Sequence, residues 1–170
     1  EQIARRHLGG CYDICHQAVE FEDVAGSIRQ LDAAGIRINK IHITCAIELR
    51  NPGENEAGRR ALAAFAEPRY LHQTFALLAN GPRLLQTDLT AELCDQPPAE
   101  FAAATAWRIH FHVPVHAPEI PQLASTRSEL EQALAQVAQL DYAPHLEVET
   151  YTWSVLPGRA ATDLTEGLTA

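Results

Sequence analysis

The stretch LGGCYDICHQAVEFEDVAGSIRQLDAAGIRINKIHITCA, residues 8–46, changes its hydrophobic period twice. Leu8 to Cys15 is a short apolar run of the length a buried strand needs. Val24, Ile28 and Leu31 then recur at helical spacing, and Gly35 stands where such a helix would stop. Lys40 to Ala46 is a second apolar run. Strand, helix, strand in that order is the pattern of a βαβ unit and predicts a parallel sheet.

The same alternation continues outward from this stretch. Asn51, Pro52 and Gly53 signal a loop, and an Ala-rich helix is expected from about Glu56 to Phe65, stopped by Pro68. A third strand, Trp107 to Val113, is closed by Pro114 and followed by a helix from Thr126 to Leu140. Ser125 or Thr126 is placed to cap that helix, and Glu129 to complete a capping box. Leu146 to Trp153 reads as a fourth strand and Thr162 to Leu168 as a short terminal helix. Between the second and third strands, residues 69–89 read as an inserted β-hairpin turning at Asn80-Gly81, with an irregular loop as the alternative. The expected fold is therefore α/β: the C-terminal half of a (β/α)₈ TIM barrel, a single domain over residues 1–170 with four parallel strands, their helices and the hairpin outside the barrel. A four- or five-stranded open sheet is the competing architecture. A whole barrel takes about 250 residues, so the open edges of half a barrel imply self-association or a missing N-terminal half. The absence of methionine and the start at Glu1 agree with a fragment.

Composition narrows the partners. Thirteen Lys plus Arg stand against 22 Asp plus Glu, for a formal charge of −9. Such a chain repels a phosphate backbone, so no nucleic acid is expected. No apolar run reaches the roughly 20 residues of a membrane span, and no charged-then-apolar leader opens the chain. A cytoplasmic protein is expected. Cys11, Cys15, Cys45 and Cys94 are expected as reduced thiols, with Cys15 serving packing.

Successive strand side chains point to opposite faces, so each strand sorts its residues into two sets. Ile41 and Ile43 share one face, His42 and Thr44 the other. Ile109, Phe111 and Val113 point outward and leave His110 and His112 directed inward. Glu147 and Glu149 share an inner face, and Asp13 points inward between Cys11 and Cys15. His16 follows where the first strand gives way to a loop. Every strand thus delivers a carboxylate or imidazole to the interior near its C-terminal end. Unpartnered, such groups cost on the order of several kcal/mol each, and a divalent cation relieves that cost. Asp13, His16, His42, His110, His112 and Glu149 are the candidate metal ligands. Their mixture of imidazole and carboxylate points to Mn²⁺ or Zn²⁺.

Gly10-Cys11-Tyr12-Asp13-Ile14-Cys15-His16 resembles a strand end of the xylose isomerase-like superfamily, which holds sugar isomerases, epimerases and endonuclease IV-type enzymes. His42 and Glu149 match the next His and the final metal-bridging Glu of that pattern. The runs FEDVAGSIRQLDAAGIRINKIHI, ALAAFAEPRYLHQ, WRIHFHVPVH and HLEVETYTWSVLP are similar to the C-terminal half of the EboE family of metabolite-traffic proteins. The resemblance implies a metal-dependent isomerase or epimerase acting on a small sugar or hydroxy-carbonyl metabolite, with Glu149 as the proton-transferring group. Its carboxylate partner would lie in the missing half. His110-Phe111-His112 stands where the nuclease branch has Asp-x-His, which disfavours a phosphodiesterase. Two alternatives remain: a non-catalytic metabolite-binding or trafficking protein of a secondary-metabolite gene cluster, and a metal-dependent hydrolase of the amidohydrolase kind, whose H-x-H motif normally sits on the first barrel strand.

Overall fold

The computed structural model describes residues 3, 7–115, 121–149 and 152. Gly10–Asp13 form β1, and Ile14–Val19 form helix α1 directly after it. Asp13 ends the strand and starts the helix: its extended backbone closes β1 while its carboxylate accepts a bond from the His16 amide as the helix N-cap. Helix α2, Val24–Ala33, is capped by Asp23 on the Gly26 amide and buries Val24 and Ile28. It ends where the sequence pattern places the stop. Gly35 adopts a φ of 70°, and the Gly35 and Ile36 amides return to Asp32 and Leu31 in a Schellman arrangement.

Strands β2, Ile38–Ile43, and β3, Cys45–Arg50, follow with only Thr44 between them. β2 lies at the centre of a three-stranded parallel sheet, flanked by β1 and by β8, His145–Val148. β3 belongs to a five-stranded antiparallel sheet. The order of that sheet is β5, β4, β6, β3, β7, where β4 is Thr74–Leu77, β5 Arg83–Gln86, β6 Ala106–Val113 and β7 Ala124–Ser125. Helix α3 is Glu56–Ala63, α4 Ala91–Asp95, α5 Ala99–Ala102 and α6 Arg127–Val137.

This architecture overturns the expectation of four parallel strands from half a TIM barrel. The run that begins at Lys40 does not stop at Ala46. It passes through Thr44 into Cys45–Arg50, of which all but Arg50 is buried, and so joins the two sheets. β6 lies antiparallel to β3 and to β4 rather than parallel to β2. A parallel return needs a crossover of a dozen or more residues, usually one helix packed across the sheet. Between β3 and β6 the chain instead runs through helix α3, the β4–β5 hairpin and the short helices α4 and α5, and the hairpin turns it so that β6 enters the sheet antiparallel to both β3 and β4. The hairpin is not an appendage outside the structure. β4 and β5 pair antiparallel around a turn with Gly81 at a φ of 98°, and β4 goes on to pair with β6. The capping box predicted at α6 does not form either. Thr126 Oγ1 accepts a bond from the Ala46 amide at 2.9 Å, and Glu129 is drawn to Arg108. The terminal helix expected at residues 162–168, and the fourth strand beyond Glu149 except Thr152, lie outside the described residues.

The core lies between the antiparallel sheet and the helices, around Ile47, Leu49, Trp107, Ile109 and Phe111, all fully buried. The Trp107 indole donates to the Phe101 carbonyl at 2.8 Å, which anchors α5. Among the described residues no helix is long and apolar enough to cross a membrane. Arg108 crosses this core. Its Nε donates to Glu48 at 2.8 Å, one Nη to the Ala18 carbonyl at the end of α1 at 2.8 Å, the other Nη to Glu129, and its guanidinium lies over the Phe21 ring. One side chain on β6 therefore ties down β3, α1 and α6. Arg108→Met should destabilise the fold by about 3–5 kcal/mol, because Glu48 is left buried without its main counter-charge. Arg50→Met, at the exposed end of the same Glu48 pair, should cost less than about 1 kcal/mol. Urea denaturation of both variants checks the contrast.

Candidate metal centre

The strand register sets the first pair of groups. Asp13 of β1 lies opposite His42 of β2, and their side chains share a face, with Asp13 Oδ2 3.1 Å from His42 Nδ1. The Glu149 amide reaches the Ile43 carbonyl just past the end of β8, and its Oε2 comes within 3.4 Å of the same His42 nitrogen. Asp13, His42 and Glu149 form one group whose ligand atoms all lie within 4.8 Å of one another.

β6 brings the second set across from the other sheet. Cys45 pairs with Val113 and Ile47 with Ile109, so a short step on β3 faces a longer one on β6, and regular pairing is interrupted around 110–112. Bulges of this kind re-aim side chains. Here His110 and His112 turn their Nε2 atoms to within 3.0 Å of each other, and His112 Nδ1 lies 3.3 Å from Glu149 Oε2. Thr152 donates to the His112 carbonyl and holds that segment from behind.

α1 supplies the rest. Where the sequence pattern suggests a loop, the first helical turn directs His16 back toward Asp13 at 3.8 Å and sets its ring edge-on to His110, with centroids 4.0 Å apart. Asp13, His16 and His112 form a second group able to hold an ion, and Cys15, His110 and His112 a third. All six residues expected as ligands thus meet where the parallel sheet abuts β6 and the start of α1. Cys15 joins them although its strand-like position suggested packing alone. Its place beside His16 in Asp-Ile-Cys-His is the signal for it once Asp13 is seen as a helix cap.

Other candidates fall elsewhere. Glu147, expected on the inner face with Glu149, pairs with Lys40 at 2.8 Å on the surface. His72 does not enter the site. It is buried behind β6, with Nδ1 3.0 Å from the His110 carbonyl and Nε2 2.9 Å from Glu67, so it props the backbone that carries His110. His116 lies outside the described residues.

Charge in the cluster is unevenly balanced. Burial pushes His110 down to about 4, helped by neighbouring His16, and burial with His110 beside it pushes His112 down to about 3. Both rings are neutral at pH 7, the state that ligates a metal. Burial tends to raise Asp13, but the His16 amide and the surrounding imidazoles outweigh it and hold the carboxyl below its ordinary value. Glu149 moves the other way: burial and the Asp13 carboxylate raise it. Its Oε2 is a buried oxygen that faces two imidazole nitrogens without hydrogen-bond geometry to either.

The two depressed histidines make the metal-free protein sensitive to acid. Their ordinary value is 6.5, so on acidification below that value the unfolded chain takes up protons that the folded chain refuses. Stability is fully present above pH 6.5 and falls as the pH drops toward 4, by at most about 1.4 kcal/mol per pH unit for each group. Raised Glu149 pulls the other way, because the folded chain holds its proton more readily than the unfolded one. Chelated protein should therefore show a falling urea midpoint between pH 6.5 and 5, with a shallower slope in a His110→Asn/His112→Asn variant.

No family model, no curated protein and no solved structure matches the chain, so its chemistry has to be read from the cluster itself.

Proposed function

We propose that this cluster holds a divalent cation, Mn²⁺ or Zn²⁺, and acts on a small sugar or hydroxy-carbonyl metabolite in the manner of an isomerase or epimerase. The observation that carries the metal reading is Glu149 Oε2, a buried carboxylate oxygen 3.4 Å from His42 Nδ1 and 3.3 Å from His112 Nδ1 with no hydrogen bond to either. Donors bound at 2.0–2.1 Å to a tetrahedral zinc ion sit about 3.3 Å apart. The spacings among Asp13, His42 and Glu149, 3.1 and 3.4 Å, match that separation as well as they match hydrogen bonds. The donor set is two carboxylates and several neutral imidazoles, which suits both ions.

A bound divalent ion supplies polarisation of hydroxyl and carbonyl oxygens. The residues supply the rest. Glu149, raised by burial and by Asp13, is the group suited to take a proton from the carbon beside a carbonyl and return it. Asp13, held ionised below its ordinary value, keeps charge on the neighbouring face. His16, whose side chain is half exposed, borders the site on its open side and is placed to meet a substrate hydroxyl. The likeness of residues 10–16 to the strand end of xylose isomerase-like enzymes supports the same chemistry. Among the described residues, Asp13 and Glu149 are the carboxylates of the three groups, and Asp13 is already engaged as a helix cap. That favours a second reading, a protein that binds and passes on a metabolite without turning it over.

Elemental mass spectrometry on the purified chain should find one equivalent or more of Mn or Zn, lost in a His42→Ala/Glu149→Gln variant. With metal bound, Glu149→Gln alone should abolish isomerisation of a responsive sugar while leaving its binding within a few-fold of wild type. Metal and sugar binding without turnover in the wild type would favour the carrier. Unchanged metal content in the double variant would refute the site.

A further inference from the structure

We infer that Cys15, His110 and His112 form a second, softer metal subsite beside the carboxylate-rich one, suited to a thiophilic divalent ion such as Zn²⁺. This deepens the metal reading above and shares His112 with it. The ligand atoms of the three residues lie within 4.8 Å of one another, and Cys15 and His112 are buried.

A buried cysteine ordinarily acts as a small apolar side chain, and Cys15 does pack with Val19 and Ala46. Cys45 and Cys94 are equally buried, yet among the described residues neither belongs to a group able to hold a metal. Cys15 differs in its neighbours. His110 and His112 aim their Nε2 atoms at one another across 3.0 Å, and the sulfur lies within 4.8 Å of a ring nitrogen of each. One shared proton satisfies that pair of nitrogens only along a single line. An ion satisfies both nitrogens and the sulfur together.

His112 gives the two subsites their relation. Its Nε2 is turned to His110 and its Nδ1 to Glu149, so one ring faces both. α1 divides its first residues in the same way. Asp13, the cap, offers oxygen to the Glu149 side, and Cys15 offers sulfur to the His110 side. Thiolate with two imidazoles selects zinc over magnesium or manganese, whereas two carboxylates with imidazole accept any of them. Binding exchanges the Cys15 thiol proton for the ion: the S–H bond breaks, its electron pair is donated to the metal and the proton leaves to solvent, while the proton between the two Nε2 atoms moves to the Nδ1 of the ring that carried it, and no oxidation state changes. Burial and the nearby Asp13 carboxylate hold the free thiol well above its ordinary value, so the metal-free cysteine is a neutral thiol.

Cobalt(II) titration of the full chain reads both subsites. The expected result is a second equivalent of cobalt together with a near-ultraviolet thiolate-to-cobalt charge-transfer band. Cys15→Ala should lose the band and one equivalent while keeping visible cobalt absorption from the remaining ion, and Cys94→Ala should keep everything. His110→Ala, at a position only partly buried, should also lose the band and carries the test if Cys15→Ala does not fold. Visible absorption with no thiolate band in the wild type would overturn the softer subsite and leave the carboxylate site standing. A band that survives Cys15→Ala but disappears in Cys11→Ser would overturn it too, because Cys11 Sγ lies 3.6 Å from His42 Nε2. No cobalt absorption at all would overturn both subsites.

Discussion

Asp13 has two carboxylate oxygens, and the structure commits both. Oδ1 accepts from the His16 amide and fixes the point where β1 turns into α1. Oδ2 faces His42 across the parallel sheet. The first contact is local and would exist in an isolated helix; the second requires the sheet to be assembled. Because one side chain serves both, the start of the helix, and with it Cys15 and His16, is held at a set distance from the ends of β2 and β8. The cluster depends on that coupling. A carboxylate free to swing would leave the imidazoles facing one another with nothing to order them.

The two sheets meet at the same place for a related reason. β2 and β3 are nearly one strand, divided at Thr44, so whatever lies at the end of β2 is adjacent to the start of β3 and to its partner β6. The irregular pairing there lets His110 and His112 turn toward the carboxylates instead of continuing the ladder. Arg108, two residues earlier, binds the Ala18 carbonyl at the far end of α1, and His72 supports the His110 carbonyl. Burial keeps the two β6 imidazoles neutral, and neutral imidazoles beside ionised Asp13 are what a divalent cation needs.

Period-two alternation made much of the site legible, since it depends only on the pleat. His42 against Ile41 and Ile43, and His110 and His112 against Ile109 and Phe111, follow whichever way the strand runs. That indifference also hides the fold. Alternation is the same in parallel and antiparallel strands, so nothing in Trp107–Val113 announces that it runs against Cys45–Arg50. A long apolar run likewise conceals a change of sheet at Thr44. Residues with two uses hide it as well. Thr126 and Glu129 have the spacing of a capping box, but the Ala46 amide and Arg108 compete for them and win, because both lie in the core where an unmet donor is costly. Cys15 reads as packing because it does pack; only the helical turn at Ile14 shows that its sulfur also lies near two imidazoles.

The most direct test of the central claim is anomalous diffraction from crystals of the full chain grown with Zn²⁺ or Mn²⁺, collected at the absorption edge of the ion. The account predicts an anomalous peak bounded by Asp13, His42 and Glu149, with Glu149 Oε2 among its ligands. A clean map with no peak there, and with Glu149 instead hydrogen-bonded to protonated His42 or His112, would show that these residues satisfy one another and would contradict the metal centre.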